Sequence, residues 1–510
     1  MLLLTPSQMS LWNVILVLIL TLVIWWFAYC QFVIGDRRRL PPGPPGLPII
    51  GNLHMLGKLP HHSLRKLAKE YGPIMFIQLG QVPAIVVSSP KAAELFLKTY
   101  DANFASRPNT MAAKHLSYGG KGIAFTPYGP YWTKMRRLCT TEFFGNSKIG
   151  LFKLMREEEV GHFVQTLKKD GDAGAVVDIT ARVGSLVEQM SYLMVFGDKD
   201  DSYNIKPAIK EALWLSGAFN LADYIPIIRS LDIQGLIRRM KAVNRDTDEF
   251  LEKLIDNHMQ APEDHKDHHK GFIHKMLSLM IKSNEGQEQQ GYMMDRTNIK
   301  AVLVDMLVGS MDSTTTTIEW TFSEILKHPR VMKKLQEELK NVVGMDKVMK
   351  EEDLARLEYL NMVIKESMRL HPPGPLLVPR ESMEDLTIDE YHIPKKSCVM
   401  INAWAIGRDP NVWSDNAEEF FPERFSDNSV DIQGHDFRLI PFGSGRRVCP
   451  AVQLGLTVVR LVLAQLVHCF NWVLPNGMLP RDLDMNEIYG LTVSRAKPLL
   501  VVPAYRLHVS

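Results

Sequence analysis

The apolar and polar residues of this chain fall into four patterns. From Leu11 to Ile34 no residue is charged, and most are Leu, Val, Ile, Trp or Phe. About 20 such residues cross a bilayer as a helix. The run is too long for a cleavable signal peptide and lacks a basic leading segment, so it predicts an uncleaved anchor. Asp36-Arg37-Arg38-Arg39 follows at once, and by the positive-inside rule that end faces the cytosol. Trp25 and Trp26 mark the interface. Next comes Leu40-Pro41-Pro42-Gly43-Pro44-Pro45-Gly46, whose prolines stiffen a linker and cannot continue a helix. The apolar runs Ile74-Met75-Phe76-Ile77-Gln78-Leu79 and Ala84-Ile85-Val86-Val87 then predict a strand pair within Pro73 to Val87, and a second strand-like patch spans Leu386 to Ile401. Nearly everything else has helical periodicity, broken by polar stretches at 260–270 and 283–291. The pattern therefore divides the chain into a membrane anchor (1–34), a basic and proline-rich hinge (35–50) and one large body (51–510). The body is mainly α with a small β-sheet region.

Two of the expected helices have unusual interiors. Thr297 to Lys327 reads as one long helix, closed by His328-Pro329. Its centre is Gly309-Ser310-Met311-Asp312-Ser313-Thr314-Thr315-Thr316-Thr317. These residue types are poor choices for a helix interior, and the hydroxyls can bond back to the preceding turn. They suit either a hydroxyl ladder between helices or a polar site, in which Asp312 and Ser313 supply an acid–alcohol pair. On a second helix, Glu366 and Arg369 share a face at i and i+3. An exposed pair of this kind contributes little. Apolar neighbours predict that this one is buried.

Composition narrows the function. The formal charge is +2 over 510 residues, which gives no field for nucleic acid. The cysteines stand at 30, 139, 398, 449 and 469, an odd and scattered set with neither a disulfide framework nor zinc spacing. That usage suits a reducing compartment. No Asn-x-Ser/Thr sequon occurs, in agreement with a body outside the secretory lumen. His265, His268 and His269 sit in a polar stretch and read as a solvated loop.

The most specific chemistry lies in Pro441-Phe442-Gly443-Ser444-Gly445-Arg446-Arg447-Val448-Cys449-Pro450-Ala451. One cysteine follows a glycine-broken turn with two arginines just upstream. Alone, it is a buried inert thiol or a metal ligand. The segment resembles the haem loop of the cytochrome P450 family, Phe-x-x-Gly-x-Arg-x-Cys-x-Gly. Phe442, Gly445, Arg447 and Cys449 match, and Ala451 replaces the final glycine. The long-helix centre resembles that family's oxygen-binding motif. Gly309 and Asp312 match it, Ser310 replaces its second glycine, and Ser313 replaces its first threonine. Glu366 and Arg369 look like the family's Glu-x-x-Arg, and Pro422 to Phe425 like its Pro-x-Arg-Phe. Trp132 and Arg136 resemble its Trp-x-x-x-Arg helix. The resemblance runs from Pro41 to about Leu507, with the motifs in the family's order, and Pro441 to Arg447, Gly434-His435-Asp436-Phe437-Arg438 and Leu370-His371-Pro372-Pro373 look like those of plant A-type microsomal members.

The resemblance implies the cytochrome P450 fold with an N-terminal transmembrane helix, and haem b with Cys449 as the iron ligand. Trp132, Arg136, Arg380, Phe442 and Arg447 are the expected cofactor contacts. Glu366, Arg369 and Arg424 are expected to form a structural triad. Asp312 and Ser313 are expected to deliver protons to bound dioxygen. Electrons come from NADPH–cytochrome P450 reductase, so NADPH acts only through that partner. The setting is the endoplasmic reticulum membrane, single-pass, with the body cytosolic. Met306, Gly309, Leu376, Leu377, Val378, Tyr489 and Leu491 are the expected substrate pocket. Their apolar character suits a hydrophobic small molecule. A terpenoid is favoured over a phenylpropanoid or flavonoid, with a reductase-independent isomerase or dehydratase as the remaining reading.

Overall fold

The computed structural model describes residues 12–18, 20–21, 40–197, 205–260, 271–284, 294–427 and 430–508. Most of the expected anchor, the Asp36–Arg39 charges and the His265/His268/His269 cluster lie outside them. Residues 12–18 and 20–21 are helical and present apolar side chains to the exterior, Trp12 and Leu16 among them. Among the described residues, one helix is long and apolar enough to cross a membrane, Val452–Cys469. It is buried in the protein and serves as a core helix.

The body is mainly helical, as the periodicity predicts. The long helix runs Arg296–Lys327 and is the axis of the fold. Asp295 caps its start, exchanging hydrogen bonds with Asn298 in a capping box. Pro329 prevents its continuation. It packs against helices Ile179–Phe196, Glu358–Leu370 and Val452–Cys469, whose inward faces form the largest apolar core. The central hydroxyls bond back along the helix. Ser313 reaches Gly309 O at 2.8 Å, Thr315 reaches Met311 O at 2.7 Å, and Thr317 reaches Ser313 O at 2.7 Å. The helix thereby absorbs residues that otherwise compete with it.

The strand pair is Ile74–Leu79 and Val82–Val87, antiparallel with Ile74 opposite Val87. The second strand-like patch divides between two sheets. Leu386–Ile388 and Tyr391–Ile393 form a separate hairpin. Cys398–Ile401 joins the strand pair, parallel to Val82–Val87, and Arg380–Glu381 completes that sheet. Its burial on every residue explains why Cys398–Ile401 shows no alternation. A further sheet of Val177–Asp178, Leu500–Tyr505 and Phe470–Val473 links the start of one core helix to the chain's last strand.

The proline-rich segment, expected to be a stiff linker, makes hydrogen bonds to the body. Pro42 O accepts the Phe76 N–H at 2.9 Å, and Asn52 Nδ2 donates to Pro45 O at 3.1 Å. A side chain at Gly43 would collide with the Phe76 carbonyl. From residue 40 onward the chain is docked on the first sheet.

Candidate active site

Cys449 lies at the end of a turn that glycine makes possible. Gly443 and Gly445 have φ of +71° and +68°. A Cβ on Gly445 would stand 2.3 Å from the Leu97 carbonyl oxygen, so glycine is required there. The Cys449 N–H closes the turn onto Phe442 O at 2.9 Å. Burial pushes the Cys449 thiol up, while the Ala451 N–H that reaches it and the Arg136 charge pull it down. Those are the donors a thiolate ligand needs. Ala451 has φ −107°, which any residue adopts, so its replacement of the family glycine introduces no backbone strain.

Around this turn stand four guanidiniums, those of Arg107, Arg380 and Arg447 buried and that of Arg136 half-buried. Arg447 donates to Ala105 O at 2.7 Å and Ile123 O at 3.2 Å, and packs over Trp132 at 4.1 Å from the ring centre. Arg107 donates to Ala124 O at 3.0 Å and Pro379 O at 2.8 Å. Arg380 holds Asp101 at 2.6 Å and Ser444 O at 2.6 Å. Arg136 donates to Val448 O, next to Cys449. Trp132 fixes the same segment by donating to Ile123 O at 3.0 Å. Burial lowers all four arginines, that of Arg447 to about 9, and mutual repulsion adds to the effect at Arg447 and Arg107. Among the described residues, Asp101 is the one carboxylate facing the group, and it also serves Arg446 at 3.1 Å. An excess of cations beside a half-buried thiol suits a ligand that carries carboxylates and a thiophilic metal. Haem b meets both requirements, with Cys449 for the iron and Arg136, Arg380, Arg447, Trp132 and Arg107 for the propionate side. Phe442, half-buried, packs against the main core beside the thiol.

On the long helix, Gly309 faces open space: a Cβ there would meet no atom within 4 Å. Asp312 and Ser313 are adjacent but do not bond to each other. Ser313 is committed to Gly309 O. The Asp312 carboxylate accepts from Thr492, by its hydroxyl at 2.6 Å and also by its backbone N–H. Thr316 meets Thr492 at 3.1 Å. The acid–alcohol pair of the structure is therefore Asp312 with Thr492. Burial raises the Asp312 carboxyl and the Thr492 bonds counteract it. Ser310 turns to the neighbouring helix, its hydroxyl 2.9 Å from that of Ser191.

The expected pocket residues come from three segments. Met306 is buried and Gly309 exposed on the long helix. Leu376 is buried, Val378 is exposed, and Leu377, at φ +50°, lies beside Gly443. Tyr489 and Leu491 occupy the hairpin formed by Glu487–Ile488 and Ser494–Arg495, whose Thr492 reaches Asp312.

The expected triad is completely paired. Arg369 grips both oxygens of Glu366, at 2.7 and 2.8 Å, and Arg424 adds a third contact at 2.9 Å. The remaining guanidinium bonds go to backbone carbonyls at 407, 413, 416, 417 and 419 and to Asn416 Oδ1. The triad thus fixes the 407–424 segment rather than entering the cleft.

Four residues at or beside the site were not visible in the sequence: Asp101, Arg107, Asp305 and Thr126. Asp305 accepts from Ile123 N at 2.6 Å and Ala124 N at 2.9 Å, and burial raises its carboxyl to about 6. No motif marks these positions. Their partners lie far away in sequence, so spacing carries no signal.

Comparison with known proteins places these features together. The cytochrome P450 family profile matches residues 41–501. A cytochrome P450 of Panax ginseng is 52% identical over 484 residues, covering 95% of this chain and 97% of its own length. A phenylacetaldehyde oxime monooxygenase of Prunus mume is 41% identical, covering 92% and 89%. A flavonoid 3'-monooxygenase of Crocosmia x crocosmiiflora is 38% identical, covering 92% and 94%.

Proposed function

The chain belongs to the cytochrome P450 family, an oxidoreductase family that carries haem b on a cysteine thiolate, and from that premise we propose that it hydroxylates a hydrophobic specialised metabolite at a membrane. The observation that carries this reading is the excess of buried guanidinium beside Cys449. When bound, haem with a thiolate ligand would supply the chemistry by which dioxygen, two electrons and two protons put one oxygen atom into a substrate C–H bond and release the other as water.

The chain's own residues then divide the work. Cys449 would hold the iron, its thiolate favoured by the Ala451 N–H and the Arg136 charge. Arg136, Arg380, Arg447 and Arg107 would orient the cofactor through its carboxylates, and Trp132, its N–H held by Ile123 O, would keep Arg447 in place by packing against it. Gly309 leaves room on the long helix. Asp312, with Thr492 and Thr316, forms a hydroxyl-linked path along which a proton can be held, and Ser313 supplies a second hydroxyl at the Gly309 turn. Met306, Leu376, Leu377, Val378, Tyr489 and Leu491 enclose the substrate with apolar surface.

Electrons come from NADPH–cytochrome P450 reductase. The expected membrane is that of the endoplasmic reticulum, with the body cytosolic. Exposed Ile49, Ile227, Leu231 and Ile233 support membrane attachment. Ile49 and Ile227 flank the turn at Gly80, which bonds to Ile50 O while the next residue bonds to Tyr224 O. For the substrate, two relatives are named for compounds with an aromatic ring, phenylacetaldehyde oxime and flavonoid. They bring the phenolic reading level with the terpenoid one.

The test is a product screen in microsomes with reductase, supplying terpenoids and phenolics with and without NADPH. Hydroxylated product that requires NADPH supports the proposal. Product formed equally without NADPH would replace it with a reductase-independent isomerase or dehydratase.

A further inference from the structure

A group of side chains outside the cleft has donor atoms that converge. His61 and His62 are the second and third residues of the helix Pro60–Tyr71. Their Nε2 atoms meet a single oxygen, Glu487 Oε2, at 2.9 and 2.8 Å. All three ligand atoms lie within 4.8 Å of one another. His61 is fully buried and its Nδ1 has no partner. The His62 side chain is 43% exposed, which opens the group to solvent on one side. Trp404 walls the other side, stacked on His62 at 4.1 Å between ring centres.

Two arginines stand nearby, and both have other partners. Arg65 pairs with Glu418 at 2.7 Å, and Arg408 pairs with it at 3.1 Å while lying over Trp404. Glu487 takes its hydrogen bonds from the two histidines, and the Arg408 charge also reaches it. The four charged side chains Arg65, Arg408, Glu418 and Glu487 sum to zero, so no net positive charge opposes a cation.

We propose that His61, His62 and Glu487 form a binding site for a divalent transition metal of the zinc class, separate from the haem cleft. Two imidazoles and one carboxylate are a recurrent zinc set, with the fourth position left to water. Here that position falls on the open side of His62. Zinc holds nitrogen and oxygen ligands at about 2.0–2.2 Å, which spaces tetrahedral donors roughly 3.3 Å apart. The Nε2 and Oε2 atoms therefore need to part by only a few tenths of an ångström. The metal would take the place of the hydrogens now shared with Oε2, with those protons released to solvent.

The site's position gives it leverage on the substrate cleft. Glu487 starts the hairpin whose turn carries Tyr489, Leu491 and Thr492. Zinc would therefore staple that hairpin to the Pro60–Tyr71 helix while Thr492 stays bonded to Asp312. This inference stands on the three ligands alone and does not depend on the hydroxylase reading.

The experiment is equilibrium dialysis of full-length, untagged, haem-loaded protein against zinc chloride, with zinc and iron counted together. The comparison proteins are His62→Arg, which keeps a cationic partner for Glu487 but cannot ligate, and Glu487→Gln. The expected result is one saturable zinc per iron in the wild type and its loss in both variants. Zinc should raise the wild-type melting temperature and slow amide exchange across 487–495, and do neither in His62→Arg. Haem absorbance confirms that the variants are folded. With 16 histidines in the chain, weak binding elsewhere is expected. Equal zinc in the wild type and both variants, or no zinc in the wild type, would overturn the proposal.

Discussion

Two sets of arginines are buried or half-buried in this protein, and they differ in what surrounds them. Arg369 and Arg424 share the carboxylate of Glu366, and backbone carbonyls and Asn416 Oδ1 take their remaining hydrogen bonds. Arg107, Arg136, Arg380 and Arg447 face one carboxylate, Asp101. The first set is closed and has nothing left to bind. The second is incomplete without an anion, and its incompleteness lies beside Cys449. Compensation, rather than burial or charge, separates a structural cluster from a binding site.

The largest effect should come from opening the closed set. Arg369→Ala leaves the buried Glu366 with only Arg424 and the Phe421 N–H on one of its oxygens and strips the other, a loss of about 3–5 kcal/mol. Haem-bound protein should be almost absent from the purified yield, and a normal yield would show that the triad is dispensable. Arg447→Ala should behave differently, because it relieves repulsion within the incomplete set. The fold should survive by circular dichroism, while haem passes to an acceptor apoprotein about ten- to a hundredfold faster, as loss of a charge-assisted hydrogen bond implies. Equal damage to fold and haem retention would erase the distinction between the sets.

Asp305 offers the same comparison with the sign of charge reversed. It is a buried carboxylate held by amides, with a folded value of about 6 against an ordinary 3.8. The folded protein therefore takes up this proton before the unfolded chain does. As pH falls from 7.5 to 5, the wild type should gain about 1 kcal/mol relative to Asp305→Asn. Melting curves of both proteins at the two pH values check this, and a relative loss on acidification contradicts it. The smallest effect is expected at Ser313. Ser313→Ala should raise hydrogen peroxide released per NADPH by less than about tenfold, below the range of a full general acid. Thr492→Val, which strips a hydroxyl from Asp312, should raise it more. The reverse order would return the main proton role to Ser313.

Much of this was legible in the sequence, for definite reasons. The long helix, the strand pair, the Cys449 turn and the Glu366–Arg369 pair are local patterns, and local patterns survive folding. Arg424 was legible because Pro422 to Phe425 matches a family motif. The pairing of Asp312 was not, since adjacency along the helix suggested Ser313. Adjacent helical side chains diverge by 100°, and a back-bond to Gly309 was the nearer choice for the serine. Asp101, Arg107 and Asp305 were invisible because each bonds to backbone or charge remote in sequence. The proline segment was read from composition as a stiff linker; its docking on the sheet, through the Phe76 N–H and the Asn52 side-chain amide, left no signal in composition.

The central claim is that Cys449 binds the iron of a haem whose carboxylates complete the open arginine set. Its most direct test is the reduced carbon monoxide difference spectrum of the wild type and of Cys449→Ser. The wild type should show the red-shifted Soret band of thiolate ligation, and the variant should lack it while keeping its circular dichroism. Absence of that band from the wild type, or its persistence in Cys449→Ser, would contradict the claim.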